Sequence, residues 1–119
     1  MSNVIRVFKF GGASVKNAEG VKNVASIVEK FKDSRLVIVV SAMGKTTDAL
    51  EKVAAAHAAK TGEAKQLLDG VKAAHYQIMD ELFDQGDPVY DAVNDLFVAA
   101  EWVLDEEPHP NYDFMYDQL

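Results

Sequence analysis

Cysteine is missing from this 119-residue chain. That excludes a disulfide scaffold, a thiolate zinc site and a cysteine nucleophile. Histidine is scarce, and His57, His75 and His109 share no ligand-like spacing, so no metal site is expected from the protein's own side chains. No apolar run approaches the roughly 18–20 residues a membrane span needs. The N-terminus lacks a basic start leading into an apolar stretch and a small-residue cleavage site. Positive charge is short overall, with a formal net charge of −7. An acidic total argues against general nucleic-acid binding, where a basic face supplies most of the affinity. These absences point to a soluble, cytoplasmic protein with no membrane and no nucleic-acid partner.

What is present is ordinary globular material, with 49% hydrophobic and 26% charged residues. The length suits one small domain. The charge is uneven. Residues 1–60 carry ten Lys/Arg against five Asp/Glu, whereas residues 61–119 carry two against fourteen. A basic first half leaves room for a small anion such as a nucleotide phosphate. Charge alone favours the plainer reading, that both halves are simply solvated, and repulsion on an acidic helical surface would aid solubility.

Val4 to Phe10 is rich in β-branched and aromatic residues and stops at Gly11-Gly12, which predicts a strand. Val21, Val24, Ala25, Val28 and Phe31 have helical spacing, within a segment from Asn17 to about Phe31. Leu36 to Val40 is a continuous apolar run, the pattern of a strand buried on both faces of a parallel sheet. An alanine-rich helix follows from about Thr47 to Lys60, with Leu50, Val53, Ala54 and His57 on one stripe. The order is βαβα, and in such sheets ligands bind at the loops leaving the carboxyl ends of the strands. The loops at 11–14 and 41–47 both belong to that edge.

Helices take over beyond residue 60. Leu67/Leu68, Val71, Ala74, Ile78 and Leu82 mark one of about five turns. Val89, Val93, Leu96/Phe97, Ala100 and Val103/Leu104 mark another, making a helical hairpin. Between them Gly86 suits a C-terminal cap, Asp87 an N-cap and Pro88 the first helical position. Gly70, inside the first of these helices, costs about 1 kcal/mol relative to alanine. Pro108-His-Pro110 reads as an extended hinge. Asn111 or Asp113 then caps a helix of barely two turns, with Tyr112, Met115, Tyr116 and Leu119 on one face. Such a tail either folds back on the core or opens the next part of a larger protein.

Chemistry concentrates in the two loops. Lys9 directly precedes Phe10-Gly11-Gly12-Ala13-Ser14. A strand running into glycines and then a helix lets backbone N–H groups close on a phosphate. A neighbouring lysine places a positive charge on a β- or γ-phosphate oxygen. Ser14 can cap the helix or donate to the same anion. Taken alone, Lys-x-Gly-Gly is better read as a tight turn beside a solvent lysine. The second loop reads Ser41-Ala-Met-Gly-Lys-Thr-Thr-Asp48. Gly44-Lys45-Thr46 is not a Walker A loop, because that motif's first glycine would fall on Val39, inside the strand. What remains is a hydroxyl-rich loop opening a helix. Ser41, Thr46 and Thr47 can donate to a carboxylate or phosphate, and Thr46 or Thr47 can serve as N-cap.

Lys9-Phe-Gly-Gly-Ala-Ser-Val15, followed by Val39-Val-Ser-Ala-Met-Gly-Lys-Thr-Thr-Asp-Ala-Leu50, resembles the N-terminal part of the aspartate kinase family. Asn111 to Leu119 resembles the segment before that family's Gly-Glu-Leu motif. Position 13 departs, carrying alanine where threonine is commoner. The resemblance implies the amino-acid kinase fold, a three-layer αβα sandwich, here incomplete: a short parallel sheet with a helical hairpin. It implies ATP and Mg2+ as co-substrate and ion, and transfer of the γ-phosphoryl group to the side-chain carboxylate of L-aspartate. That step opens the route to lysine, threonine, methionine and diaminopimelate. By position, Lys9 is the catalytic lysine, and Lys9, Gly11, Gly12 and Ser14 hold the phosphates. Ser41 and Thr47 bind aspartate.

On this reading residues 1–119 are an N-terminal piece of the kinase domain, inactive alone, with the adenosine-binding half and the regulatory ACT domains beyond it. Two parallel strands with open edges also predict self-association. The alternatives are another amino-acid kinase, such as an acetylglutamate or glutamate 5-kinase, and a non-catalytic helical interaction module built on residues 63–107.

Overall fold

A computed structural model describes residues 4–119. The described chain falls into two compact units, one ending at Thr46 and the other comprising Thr47–Leu119.

The first unit is a single βαβ crossover. Strand β1 (Ile5–Phe10) pairs in parallel with β2 (Arg35–Val40), in a register running from Ile5 opposite Arg35 to Phe10 opposite Val40. Helix α1 (Ala18–Glu29) connects them. Its start follows from Asn17, whose side chain accepts the Gly20 N–H at 2.8 Å and satisfies one of the helix's unpaired donors. Ala18 is buried, and Val21, Val24, Ile27 and Val28 are half-buried. Ala25, expected on this stripe, is exposed, and Ile27 takes up the inner face instead. The ring of Phe31 meets Phe8 edge-on at 5.0 Å, with the Arg6 guanidinium over its face.

One expectation fails here. β2 is not buried on both faces: Val37, Ile38, Val39 and Val40 are 42–54% exposed. An apolar run reports what a strand would tolerate. Burial on both faces needs covering layers, and among the described residues β1 is the only strand paired with β2.

The second unit is helical. Helix α2 (Thr46–Ala58) begins on the last residue of the first unit, and α3 (Ala64–Leu82) and α4 (Val89–Asp105) form the hairpin. Val53 and Ala56 of α2, Ala64 and Leu68 of α3, and Ala100 and Leu104 of α4 form one buried cluster, with Leu50, Phe97 and Leu119 packed around it. Of the adjacent apolar pairs in the hairpin, Leu68, Phe97 and Leu104 turn inward. Leu67 and Leu96 are exposed. Ala74 is exposed as well, and Met79, outside the expected stripe, is buried.

The turn between α3 and α4 corrects a second expectation. Gly86 does not cap α3, which ends at Leu82 with Phe83 extended and its N–H donated to the Met79 carbonyl. Nor does Gly86 take a left-handed φ. Asp87 does cap: its carboxylate accepts the Val89 N–H at 2.9 Å, and Pro88 already has helical dihedrals. Nothing in the structure explains Gly70. The tail folds back. Asn111 caps α5 (Tyr112–Asp117) by accepting the Phe114 N–H, Met115 is buried, and Leu119 reaches the core.

Candidate active site

β1 leads straight into the first loop. Gly11 is extended, and Gly12–Val15 form a single 3-10 turn closed by the Ser14 N–H on the Gly11 carbonyl at 3.0 Å. Val15 anchors the turn by burying its side chain. The second loop leaves β2 alongside it. The ladder continues one rung, with the Ser41 N–H donating to the Phe10 carbonyl at 2.9 Å. Further on, the Gly44 N–H donates to the Gly12 carbonyl at 3.0 Å. The two loops therefore sit side by side at the carboxyl edge of the sheet, as βαβ topology requires.

Lys9 pairs in register with Val39, two residues before Ser41. Strand alternation then puts Lys9 and Ser41 on one face, with Phe10 buried on the other. Lys9 is exposed. The ion pairs of the described residues lie elsewhere: Lys32 with Glu29, Lys60 with Glu107, Lys65 with Asp105, and Lys72 with Glu101. The Lys9 ammonium is thus available to an incoming anion. Neither Gly11–Lys16 nor Ser41–Thr46 contains a carboxylate that would repel one.

The first unit brings Lys9, Gly11, Gly12, Ser14 and Ser41 together. Thr47 opens the second unit and is exposed. Ser14 does not cap α1, since Asn17 does, and its exposed hydroxyl remains available. Thr46 is not an N-cap but the first residue of α2. Its hydroxyl turns back to donate to the Met43 carbonyl at 2.6 Å, which braces the second loop. Thr47 makes no capping bond either. A hydroxyl at a helix start looks the same in sequence whether it caps the helix or braces the loop, and only the turn geometry separates the two.

The second unit has a cleft of about 360 Å3 lined by residues from Ala56 to Lys65 and from Leu104 to Pro108, none of them an expected site residue. The Lys60 ammonium, hydrogen-bonded to Glu107, holds that carboxyl below its ordinary range. The Asp105 carboxylate, hydrogen-bonded to Lys65, raises the lysine. Both lysines of this cleft are thus already paired with carboxylates.

The sequence model of the amino acid kinase family matches residues 5–102. The chain belongs to the amino acid kinase family. The match takes in the sheet, both loops and most of the hairpin. Among curated relatives, Aspartokinase 2, chloroplastic, of Arabidopsis thaliana is 59% identical over 46 residues, covering 39% of this chain and 8% of its own length. Aspartokinase 2 of Bacillus subtilis (strain 168) is 40% identical over 92 residues, covering 74% of this chain and 22% of its own. The bifunctional aspartokinase/homoserine dehydrogenase, chloroplastic, of Daucus carota is 33% identical over 81 residues, or 68% of this chain and 9% of that protein. The chain thus spans less than a quarter of the length of each of these relatives.

This amino acid kinase chain is α/β, with a parallel sheet as expected. Among its described residues no helix is long and apolar enough to cross a membrane, and no group of three or more His, Asp or Glu side chains is placed to hold a metal ion.

Proposed function

We propose that residues 1–119 form the phosphate-facing N-terminal part of an aspartate kinase. The observation that carries this reading is the joining of the Lys9 loop to the Ser41 loop by the Gly44 N–H and the Gly12 carbonyl. On this reading the ammonium of Lys9, the main-chain amides of the first loop and the Ser41 hydroxyl serve that shared edge. The names and coverage of the relatives support aspartate over other acceptors.

The reaction joins two anions. An oxygen of the aspartate side-chain carboxylate forms a bond to the γ-phosphorus of ATP, and the bond from that phosphorus to the β–γ bridging oxygen breaks, releasing ADP and 4-phospho-L-aspartate. Positioning and charge stabilisation carry most of such a transfer. Lys9 neutralises the moving phosphoryl group. The main chain of Gly11 and Gly12 and the Ser14 hydroxyl hold the phosphates. Ser41 and Thr47 orient the aspartate carboxylates. Magnesium, when bound, draws charge from the phosphate oxygens. Because neither Gly11–Lys16 nor Ser41–Thr46 carries a carboxylate, these segments fit the nucleotide side of that ion and not a protein-held cage. Residues that bind adenosine, and regulatory domains, belong to the part of an aspartate kinase not represented in these 119 residues. The chain therefore holds one side of the site and is inactive alone. We place it in the cytoplasm, where ATP and aspartate are abundant.

A coupled ADP-release assay with ATP, magnesium and L-aspartate tests the reading. The 119-residue chain gives no aspartate-dependent ADP. The same sequence within a complete kinase turns over, and Lys9→Ala lowers that turnover about 100-fold or more. Turnover by the chain alone overturns the half-site, and near-normal activity after Lys9→Ala removes the role of Lys9.

A further inference from the structure

The two adjacent glycines of the first loop stand in different surroundings. A Cβ on Gly11 would meet nothing within 4 Å, and the Gly11 backbone (φ −77°) suits any residue. A Cβ on Gly12 would lie 2.6 Å from the Gly44 carbonyl oxygen and 3.2 Å from that of Ala42. Both are backbone atoms of the second loop and cannot rotate aside. The fold therefore demands glycine at position 12 and leaves position 11 free.

The second loop answers with a glycine of its own. Gly44 has φ +54°, a left-handed conformation that L side chains resist, and in that pose its N–H reaches the Gly12 carbonyl. There is room for a side chain at Gly44, whose nearest neighbour is the Cβ of Lys16 at 3.6 Å, so its glycine serves the backbone angle and not the space. The loop is also tied at its start, by Ser41 N–H on Phe10, and at its end, by Thr46 on Met43.

We propose that Gly12 and Gly44 are positioning residues that latch the lysine-bearing loop to the serine-bearing loop, whereas Gly11 is the glycine whose open side a phosphate approaches. The latch sets the Ser41 hydroxyl against the phosphate loop and so fixes where acceptor and phosphoryl donor meet. This rests on the kinase reading for the identity of the ligands, but the latch itself is a property of the two loops.

Amide hydrogen exchange and 15N spectra of the full 119-residue chain, with Mg-ATP as probe, decide it. Gly12→Ala speeds exchange at the Gly44 amide about tenfold or more while the Ser41 amide, bonded to Phe10, stays protected. Mg-ATP still shifts the Gly11 resonance in that variant but no longer moves Ser41 or Gly44. Gly11→Ala leaves Gly44 protection within about twofold and weakens the Mg-ATP response. Unchanged Gly44 exchange in Gly12→Ala overturns the latch, as does an equal loss of protection in Gly11→Ala. Should Gly12→Ala also expose Ser41, Gly44→Ala is the deciding variant: loss at residue 44 with Ser41 protected supports the latch, and loss at both overturns it. A wild-type chain that ignores Mg-ATP agrees with a half-site that lacks the adenosine-binding part, and the exchange pattern alone then decides the latch.

Discussion

Replacing Leu68 by alanine probes the second unit where its core is least able to adjust. The side chain is 1% exposed and lies in a cluster drawn from three helices: Val53 and Ala56 on α2, Ala64 on α3, and Ala100 and Leu104 on α4. The change removes three carbons, worth about 2.4 kcal/mol in transfer alone at roughly 0.8 kcal/mol each. A cavity term adds to this. Three of the five neighbours are alanines, which have no rotamer to swing into the gap, so much of the volume stays empty. Half of a roughly 70 Å3 void at about 24 cal/mol per Å3 contributes close to 1 kcal/mol. The sum, about 3–4 kcal/mol, takes a large part of the roughly 4–11 kcal/mol typical of a unit this size. Urea unfolding followed by far-UV circular dichroism reads it as a fall in midpoint at constant slope. Leu96→Ala is the control: that side chain is 71% exposed, and its loss costs less than about 0.5 kcal/mol. A Leu68→Ala chain within about 1 kcal/mol of the parent, or no worse than Leu96→Ala, would refute the assignment of this cluster as the centre of the core.

Three further outcomes follow from particular residues. Gly70→Ala, where a new Cβ meets nothing within 4 Å on an exposed helix surface, raises the stability of the second unit by about 0.5–1 kcal/mol, and a lower urea midpoint would contradict it. Burial, the hydrogen bond from its hydroxyl to Asp80, and the Asp80, Asp87 and Asp84 carboxylates push the Tyr90 phenol from 10.0 up to about 12. The proton is held more tightly in the folded state, so this contribution is complete below pH 10.0 and fades as pH rises through about 12; phenolate absorbance should show one late tyrosine that Tyr90→Phe abolishes, and its persistence would reassign it. The exposed valines and isoleucine of β2 and the open strand edges lead to self-association: light scattering at high concentration gives more than a monomer, Ile38→Lys reduces it, and a clean monomer rules it out.

Local chemistry was enough to find the elements. β-branched residues bounded by glycine marked β1, an Asn at the right place began α1, and Asp87-Pro88 began α4, because each signal acts within a few residues of itself. Choices that depend on distant partners were not legible. Leu67 and Leu68 are equally apolar, and only the position of α2 and α4 around α3 makes the second of them the core residue. Val37–Val40 read as doubly buried because hydrophobicity records a preference, while burial also needs something to lie against. Gly86 carried the right residue type for a cap at a place where the chain had already left the helix three residues earlier.

The candidate site divides along the same line. Strand, glycine loop, helix and second strand suffice to put Lys9 and Ser41 at one sheet edge, because parallel pairing forces both loops there. The contact between the loops depends on register: Phe10 must stand opposite Val40 before the Ser41 N–H can reach the Phe10 carbonyl, and only then does Gly44 fall beside Gly12. One residue of slip would carry Ser41 to the other face of the sheet, away from Lys9, and would leave the Gly12 carbonyl without its donor. The glycine pair thus looks like a phosphate signature in sequence, yet half of it is demanded by the neighbouring loop. That requirement ties the placement of the two loops to strand pairing. A substitution that weakens the β1–β2 register should therefore damage the meeting of Lys9 and Ser41 before it damages either loop alone.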